Sequence, residues 1–410
     1  MADVKTFAYT SRDAAGKLVK GKLEASNQPT AMTRLRGMGL SPISLEESAA
    51  STGLNREINI PGLTTKNVNL KDLAIMSRQM ATMIAAGLSL MKTLTILEGQ
   101  TENKKLAETL GLVRSDVERG SSFSESLGKH PLIFPRLMIY LVRAGEAGGF
   151  LDGALVSVAD SLESDVKLRA TIKSAMTYPI AVLLMAVAAV IVMLVFIVPI
   201  FQDMFDSLGG KLPAPTQFLV TMSANMVWIV PVVLVSTIAF SIWWRANKHT
   251  DAVRRVVDPF KLKAPVFGQL FTKVAIARFS RNFSAMIGAG VPILQSLSIV
   301  GETSGNWVIE QALVKVQDSV RLGNSIAAPL ATEPVFPSMV VQMIAVGEDS
   351  GALEIMLTKV ADFYDEEVQS TAEALTSLIE PLMIAVIGTI IGGMIVALYM
   401  PIFTITQQIQ

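Results

Sequence analysis

The sequence predicts an all-α polytopic membrane protein with two homologous cytoplasmic helical bundles, three transmembrane helices and a small N-terminal α/β module. Three observations lead there. Hydrophobic residues make up 51% of the 410 positions at a mean hydropathy of +0.47, more than soluble chains usually hold. Three uncharged apolar stretches are long enough to cross a bilayer, and one long phrase of sequence occurs twice.

Residues 1–60 read as a ββαβ module with a linker. In "KTFAYTSRDAAGKLVKGKLEAS", Phe7 and Tyr9 alternate, "DAAGK" turns, and a second strand runs from Leu18 to Leu23. A helix through "PTAMTRLRGMG" and a strand "SPISLE" follow, then the polar "ESAASTGLNREINIPGL" reads as a flexible connection. The N-terminus lacks the apolar run of a signal peptide. Gly16 to Lys22, "GKLVKGK", matches GxxxxGK. Leu23 stands where a phosphate loop needs Ser or Thr and no helix opens there, so nucleotide binding is not expected.

Residues 66–175 form the first predicted bundle. Leu73, Met76, Met80, Met83 and Ile84 recur at helical spacing, as do Leu106, Leu110, Val113 and Val117. Gly87, Gly120, Pro131, Pro135 and the Gly148-Gly149 pair divide this segment into five or six short helices. The second bundle covers residues 262–378.

The predicted spans are 180–201, 218–244 and 382–403, each free of Asp, Glu, Lys, Arg and His. That lack disfavours an ion-coupled pump or proton relay. Lys167, Arg169 and Lys173 precede the first span, and Arg245, Lys248, Arg254 and Arg255 follow the second. Positive flanks stay inside, which puts the N-terminus and both bundles in the cytoplasm and the C-terminus outside. Pro179 and Pro381 are expected near first turns, and Pro199 and Pro401 at ends or kinks. Gly388, Gly392 and Gly393 give the third span a small-residue pattern suited to helix packing.

The repeat joins these parts. "SRQMATMIAAGLSLMKTL" from Ser77 matches "SRNFSAMIGAGVPILQSL" from Ser280, at an offset of 203. Glu146 matches Glu348, Pro179 matches Pro381 and Pro199 matches Pro401 at 202, so one residue is lost between Gly120 and Phe134. A bundle ending in a span has been duplicated.

Within the repeat, "VRAGEAGGFLDGAL" recurs as "AVGEDSGALEIML". Gly145 and Glu146 should close a helix before Gly148 and Gly149; Gly347, Glu348 and Gly351 do the same in the second copy. A carboxylate at a helix C-terminus is unfavourable by about 0.3–1 kcal/mol. A compensating contact is expected, either from backbone N–H groups that open the next helix or from the repeated arginine, Arg78 for Glu146 and Arg281 for Glu348. Asp152 and Glu354 could join these glutamates as carboxylate pairs for a divalent ion or acid–base work, while fixing the turn is the plainer role. "YDEEVQSTAEALTSLIE" from Tyr364 reads as a solvated helix face that could meet a basic partner.

With no cysteine and two histidines, His130 and His249, in no catalytic or metal motif, no cofactor, metal or enzymatic activity is expected. Lys+Arg and Asp+Glu balance at 35 each, which advertises no nucleic-acid partner.

The duplicated "SRQMATMIAAGLSLMKTL", "VRAGEAGGFLDGAL", "IKSAMTYP" and "FIVPIF", with "FAYTSRDAAGKLVKGKLEA" and "LRGMGLSPISLEE" before them, resemble the inner-membrane platform proteins of type IV pilus assembly and type II secretion. The similarity covers essentially the whole chain. It implies a multi-pass scaffold of the bacterial inner membrane that couples a hexameric cytoplasmic assembly ATPase to the extraction and polymerisation of pilin or pseudopilin subunits. Other inner-membrane assembly proteins and further copies of the chain are implied as partners. Read without that resemblance, the residues also suit a duplicated transporter or a membrane-anchored adaptor.

Overall fold

The computed structural model describes residues 5–12, 18–25, 28–38, 41–47, 68–207, 212–248 and 250–408. The expected turn at 13–17, the linker at 48–67 and His249 lie outside the described residues. The chain divides into two units, Met1–Lys66 and Asn67–Gln410.

The first unit holds β1 (Lys5–Arg12), β2 (Leu18–Ala25), α1 (Gln28–Gly37) and β3 (Ser41–Glu47). The antiparallel sheet has the order β2-β1-β3, and the pairing of β1 with β3 shifts register between Thr10 and Ser11. Helix α1 buries Ala31 and Leu35. Leu18 to Lys22 of the phosphate-loop match lie within strand β2, which offers no helix N-terminus to a phosphate.

The second unit is helical. Its first repeat comprises α2 (Leu70–Ala85), α3 (Leu90–Gln100), α4 (Lys104–Glu118), α5 (Phe123–Gly128), α6 (Arg136–Gly148) and α7 (Leu151–Val192). Local chemistry starts most of these helices. Asn69 and Asp72 form a reciprocal capping box on α2, while Ser89, Asn103 and Ser122 accept the backbone N–H three residues ahead. Their apolar stripes bury Met76, Met80, Leu94, Leu97, Leu106 and Leu110.

A π-helical turn, Met193–Ile197, joins α7 to α8 (Val198–Ser207). Then come α9 (Ala214–Asn247) and α10 (Asp251–Lys263). The second repeat follows as α11 (Gly268–Gly288), α12 (Ile293–Thr303), α13 (Trp307–Arg321), α14 (Ala327–Leu330), α15 (Ser338–Ser350) and α16 (Leu353–Gln408). Buried residues of both repeats form one continuous hydrophobic core.

Three helical stretches are long and apolar enough to cross a membrane: Leu151–Phe205, Ala214–Asn247 and Leu353–Phe403. Here the structure corrects the sequence reading of the prolines. Pro179 and Pro381 are not near helix starts, because α7 and α16 begin far upstream in the bundles, at Leu151 and Leu353. Pro199 and Pro401 do not end their helices, which run on to Ser207 and Gln408.

A proline inside a helix strips one carbonyl of its partner, and in lipid such a group must find another. For Pro179, Pro199 and Pro401 hydroxyls from neighbouring helices supply it. Pro401 leaves the carbonyl of Ala397 free, and Thr216 of α9 donates to it at 2.5 Å. The π-turn pairs residues five apart, so Pro199 strands the carbonyl of Leu194, which accepts from Ser223 of α9 at 2.5 Å. Thr376 of α16 stands 3.3 Å from the Ala175 carbonyl that Pro179 frees, sharing its proton with Ala372 at 2.9 Å.

Around the two α9 contacts, Leu194, Val198, Leu219, Val220, Met394 and Leu398 form a second buried cluster. Beyond Met226, α9 leaves its neighbours. Positions 227–243 are exposed, and an apolar cavity of about 660 Å³ opens between α7, α9 and α16. A Cβ added at Gly388, Gly392 or Gly393 would meet nothing within 4 Å, so the glycine pattern packs against no described part of this chain.

Thr216→Ala and Ser223→Ala should each destabilise the three-helix arrangement by roughly 0.5–1.5 kcal/mol in detergent. Replacing Pro401 together with Thr216, or Pro199 together with Ser223, should recover most of that loss. Thermal unfolding of the purified chain checks this, and single alanine variants as stable as the parent would contradict it.

Candidate functional site

The repeated phrase folds into a helix end pressed against the start of the next helix. Helix α6 stops at Gly149 (φ 75°) and α15 at Gly351 (φ 69°), both in the left-handed conformation that ends helices at little cost for glycine. Gly145 is fully enclosed one turn earlier. A Cβ there would lie 2.6 Å from Ala154 Cβ and 3.1 Å from Leu151 Cα; at Gly347 it would lie 2.9 Å from Leu353 Cα. Only glycine lets the paired helices come this close.

The copies differ next to this contact. A side chain at Gly148 would collide with the Phe150 ring. Their counterparts, at the offset of Glu146 to Glu348, are Ser350 and Ala352. The smaller Ala352 makes room for Ser350, whose hydroxyl donates to the Val346 carbonyl at 2.6 Å.

Glu146 does not pair with Arg78, nor Glu348 with Arg281. Each carboxylate instead accepts backbone N–H groups at the start of a short helix that precedes it. Glu146 takes Phe123 at 2.5 Å and Ser124 at 2.9 Å, at the start of α5. Glu348 takes Ile326 with both oxygens at 2.9 Å, and Ala327 at 3.4 Å, at the start of α14. These N–H groups have no partner within their own helix, and the positive helix end favours a carboxylate. Each glutamate is a tertiary cap reaching across 21 to 23 residues of chain.

The arginines serve the long helices. Arg78 of α2 grips Glu163 through Nε and Nη2, both at 2.7 Å, and reaches Asp160 at 2.5 Å. Arg281 of α11 meets Asp365 at 2.5 Å and Asp362 at 3.4 Å. Acidic residues three apart share one face of a helix, so each arginine spans both. This pairing was missed, although Asp160 and Glu163 recur as Asp362 and Asp365 at the repeat offset. A search for repeated charges finds them.

The two pairs differ in setting. The hydrogen bond from Arg78 holds the Glu163 carboxyl below its ordinary range, against some desolvation. Burial pushes Asp365 up, outweighing the pull of Arg281.

Asp152 and Glu354 occupy the first turns of α7 and α16, where the helix dipole favours an acid. The Glu354 carboxylate lies over Gly288. The Glu146 and Glu348 oxygens accept backbone N–H groups, which serves the turn-fixing role. Among the described residues no group of three or more His, Asp or Glu is placed to hold a metal.

Between the repeats, Ser161 donates to Asn282 at 3.1 Å in a buried bond, Arg278 meets Asp165 at 2.5 Å, and Arg136 pairs with Glu302. Ser161, Asp165, Arg278 and Asn282 line a cleft of about 250 Å³ between the repeats, together with Arg281.

A helical bundle made twice, each copy continuing as an apolar helix, defines a duplicated multi-pass membrane protein. The chain belongs to the type II secretion system protein F family: the model of that family matches residues 76–199 and again 279–401, and that of its N-terminal domain matches residues 1–46. Type IV pilus assembly protein PilC of Thermus thermophilus is 44% identical, aligned over 97% of this chain and 98% of that protein. PilC of Myxococcus xanthus is 39% identical over 98% and 96%, and type II secretion system protein F of Vibrio cholerae 31% over 97% of each.

Because folding depresses Glu163, its stabilisation is present at neutral pH and is lost as pH falls through the carboxylate range. Folding raises Asp365, so its contribution is present in acid and lost as pH rises. Glu163→Gln should cost about 0.3–1 kcal/mol near neutral pH and progressively less as pH falls through and below the carboxylate range. Asp365→Asn should cost less than Glu163→Gln at neutral pH. Thermal melts across pH check this; equal losses at neutral pH would contradict it.

Proposed function

We propose that this chain is the inner-membrane platform of a type IV pilus or type II secretion machine. Its bundles face the cytoplasm and receive a hexameric assembly ATPase. Its spans stand beside pilin or pseudopilin subunits awaiting extraction, among other inner-membrane assembly proteins and further copies of the chain. The chain performs no chemistry of its own.

One observation supports this reading above the rest. Bundle and span share a single helix in each repeat, α7 with 42 residues and α16 with 56. At 1.5 Å per residue these are rods of about 63 and 84 Å. A displacement of either bundle by a motor is delivered to the membrane by a rigid element. Lifting an apolar subunit out of lipid needs such work, because burial in the bilayer favours the inserted state. The names of the relatives, assembly proteins for pili and for secretion, agree with this role.

Cross-linking of the chain in its own membrane, followed by mild-detergent purification and mass spectrometry, should recover an assembly ATPase linked to residues 66–175 or 262–378, together with pilin-like proteins. Recovery of neither, with a receptor or solute pathway in their place, would overturn the proposal.

A further inference from the structure

The two copies of the long helix carry opposite charge just before they enter the apolar region. On α7 the exposed side chains there include Arg169 and Lys173; on α16 they include Glu366, Glu373 and Glu380. Few contacts engage them. Arg169 reaches Asp165 at 3.4 Å, Gln369 donates to Glu373 at 3.2 Å, and Tyr178 donates to Glu380 at 3.5 Å.

The helices stand at the same level in the membrane. Tyr178 and Glu380, each just before the matched prolines Pro179 and Pro381, touch across the chain. Counting back from those prolines, Glu373 falls between Arg169 and Lys173 in depth, within about 3 Å of either along the axis. Of these acids only Glu380 touches α7. α16 buries Val368, Ala372 and Leu375, whereas Glu366 and Glu373 are exposed.

We propose that a second copy of this chain docks here head-to-tail, the Arg169/Lys173 face of α7 in one copy against the Glu366/Glu373 face of α16 in the next. This deepens the self-association named above and rests on it. A row of glutamates next to a cytoplasmic leaflet is repelled by anionic headgroups and calls for a cationic neighbour at the same depth. Another copy in the same membrane has the same topology and presents one at that level. Further along α16, the exposed Gly388 leaves room for close helix approach. Because the two faces belong to different helices, the contact is heterologous, the kind that builds rings or longer rows.

The chain contains no cysteine, which makes the test direct. Lys173→Cys and Glu373→Cys are placed in separate full-length copies, co-expressed, and treated in native membranes with a short bismaleimide. A covalent dimer should form only when both variants are present. Lys173→Glu should lower the oligomer fraction roughly threefold to tenfold, and co-expression with Glu373→Lys should restore it.

A dimer from either cysteine variant alone would show a two-fold interface and overturn the proposal. So would loss of a retained anionic lipid in Lys173→Glu with the oligomer unchanged. If native mass spectrometry shows oligomers while the mixed variants give no adduct, this surface is wrong and self-association stands. If the parent chain is monomeric throughout, self-association falls and this inference with it.

Discussion

The close contact between the end of α6 and the first turn of α7, repeated between α15 and α16, is the constraint on which each repeat depends. Gly145 and Gly347 allow it sterically, and Glu146 and Glu348 tie it to the start of α5 or α14. Three helices thereby meet at one point. Since α7 and α16 leave that point and run on as apolar spans, the direction of each span is set inside its bundle. The arginine clamps, Arg78 on Asp160 and Glu163 and Arg281 on Asp362 and Asp365, hold the same long helices about three turns further along.

In the membrane a different constraint governs, the need of every backbone polar group for a partner. The duplicated spans carry prolines that violate it, and α9, which has no duplicate, repairs two of the breaks with Thr216 and Ser223. These residues lie two helical turns apart, so a single face of α9 reaches both spans. That clasp is local: the rest of α9 diverges and leaves the spans open to lipid or to other helices.

Much of this organisation was legible from sequence because it rests on periodic signals. The 202–203-residue repeat, the three apolar runs and the i, i+3, i+4 stripes around Met76 and Leu106 each depend on spacing alone. What was hidden depends on contacts distant in sequence. Nothing near Glu146 announces that its partners are the N–H groups of Phe123 and Ser124, and the repeated Arg78 offered a tempting but wrong alternative. The prolines misled for a different reason. Their cost to a helix is real, but hydroxyls on other helices offset it, and nothing in the sequence of Thr216 or Ser223 marks them for that task.

The central claim is that the glycine–glutamate phrase is a structural staple and not a reactive or partner-binding site. Comparing the stability of the intact chain in mild detergent with that of Glu146→Gln, Glu348→Gln and the double variant tests it most directly. The account predicts a loss of about 1–3 kcal/mol for each single change, near-additive in the double variant, with pilus assembly or secretion failing in proportion. Variants as stable as the parent that nonetheless abolish assembly would contradict it and assign the glutamates to a partner.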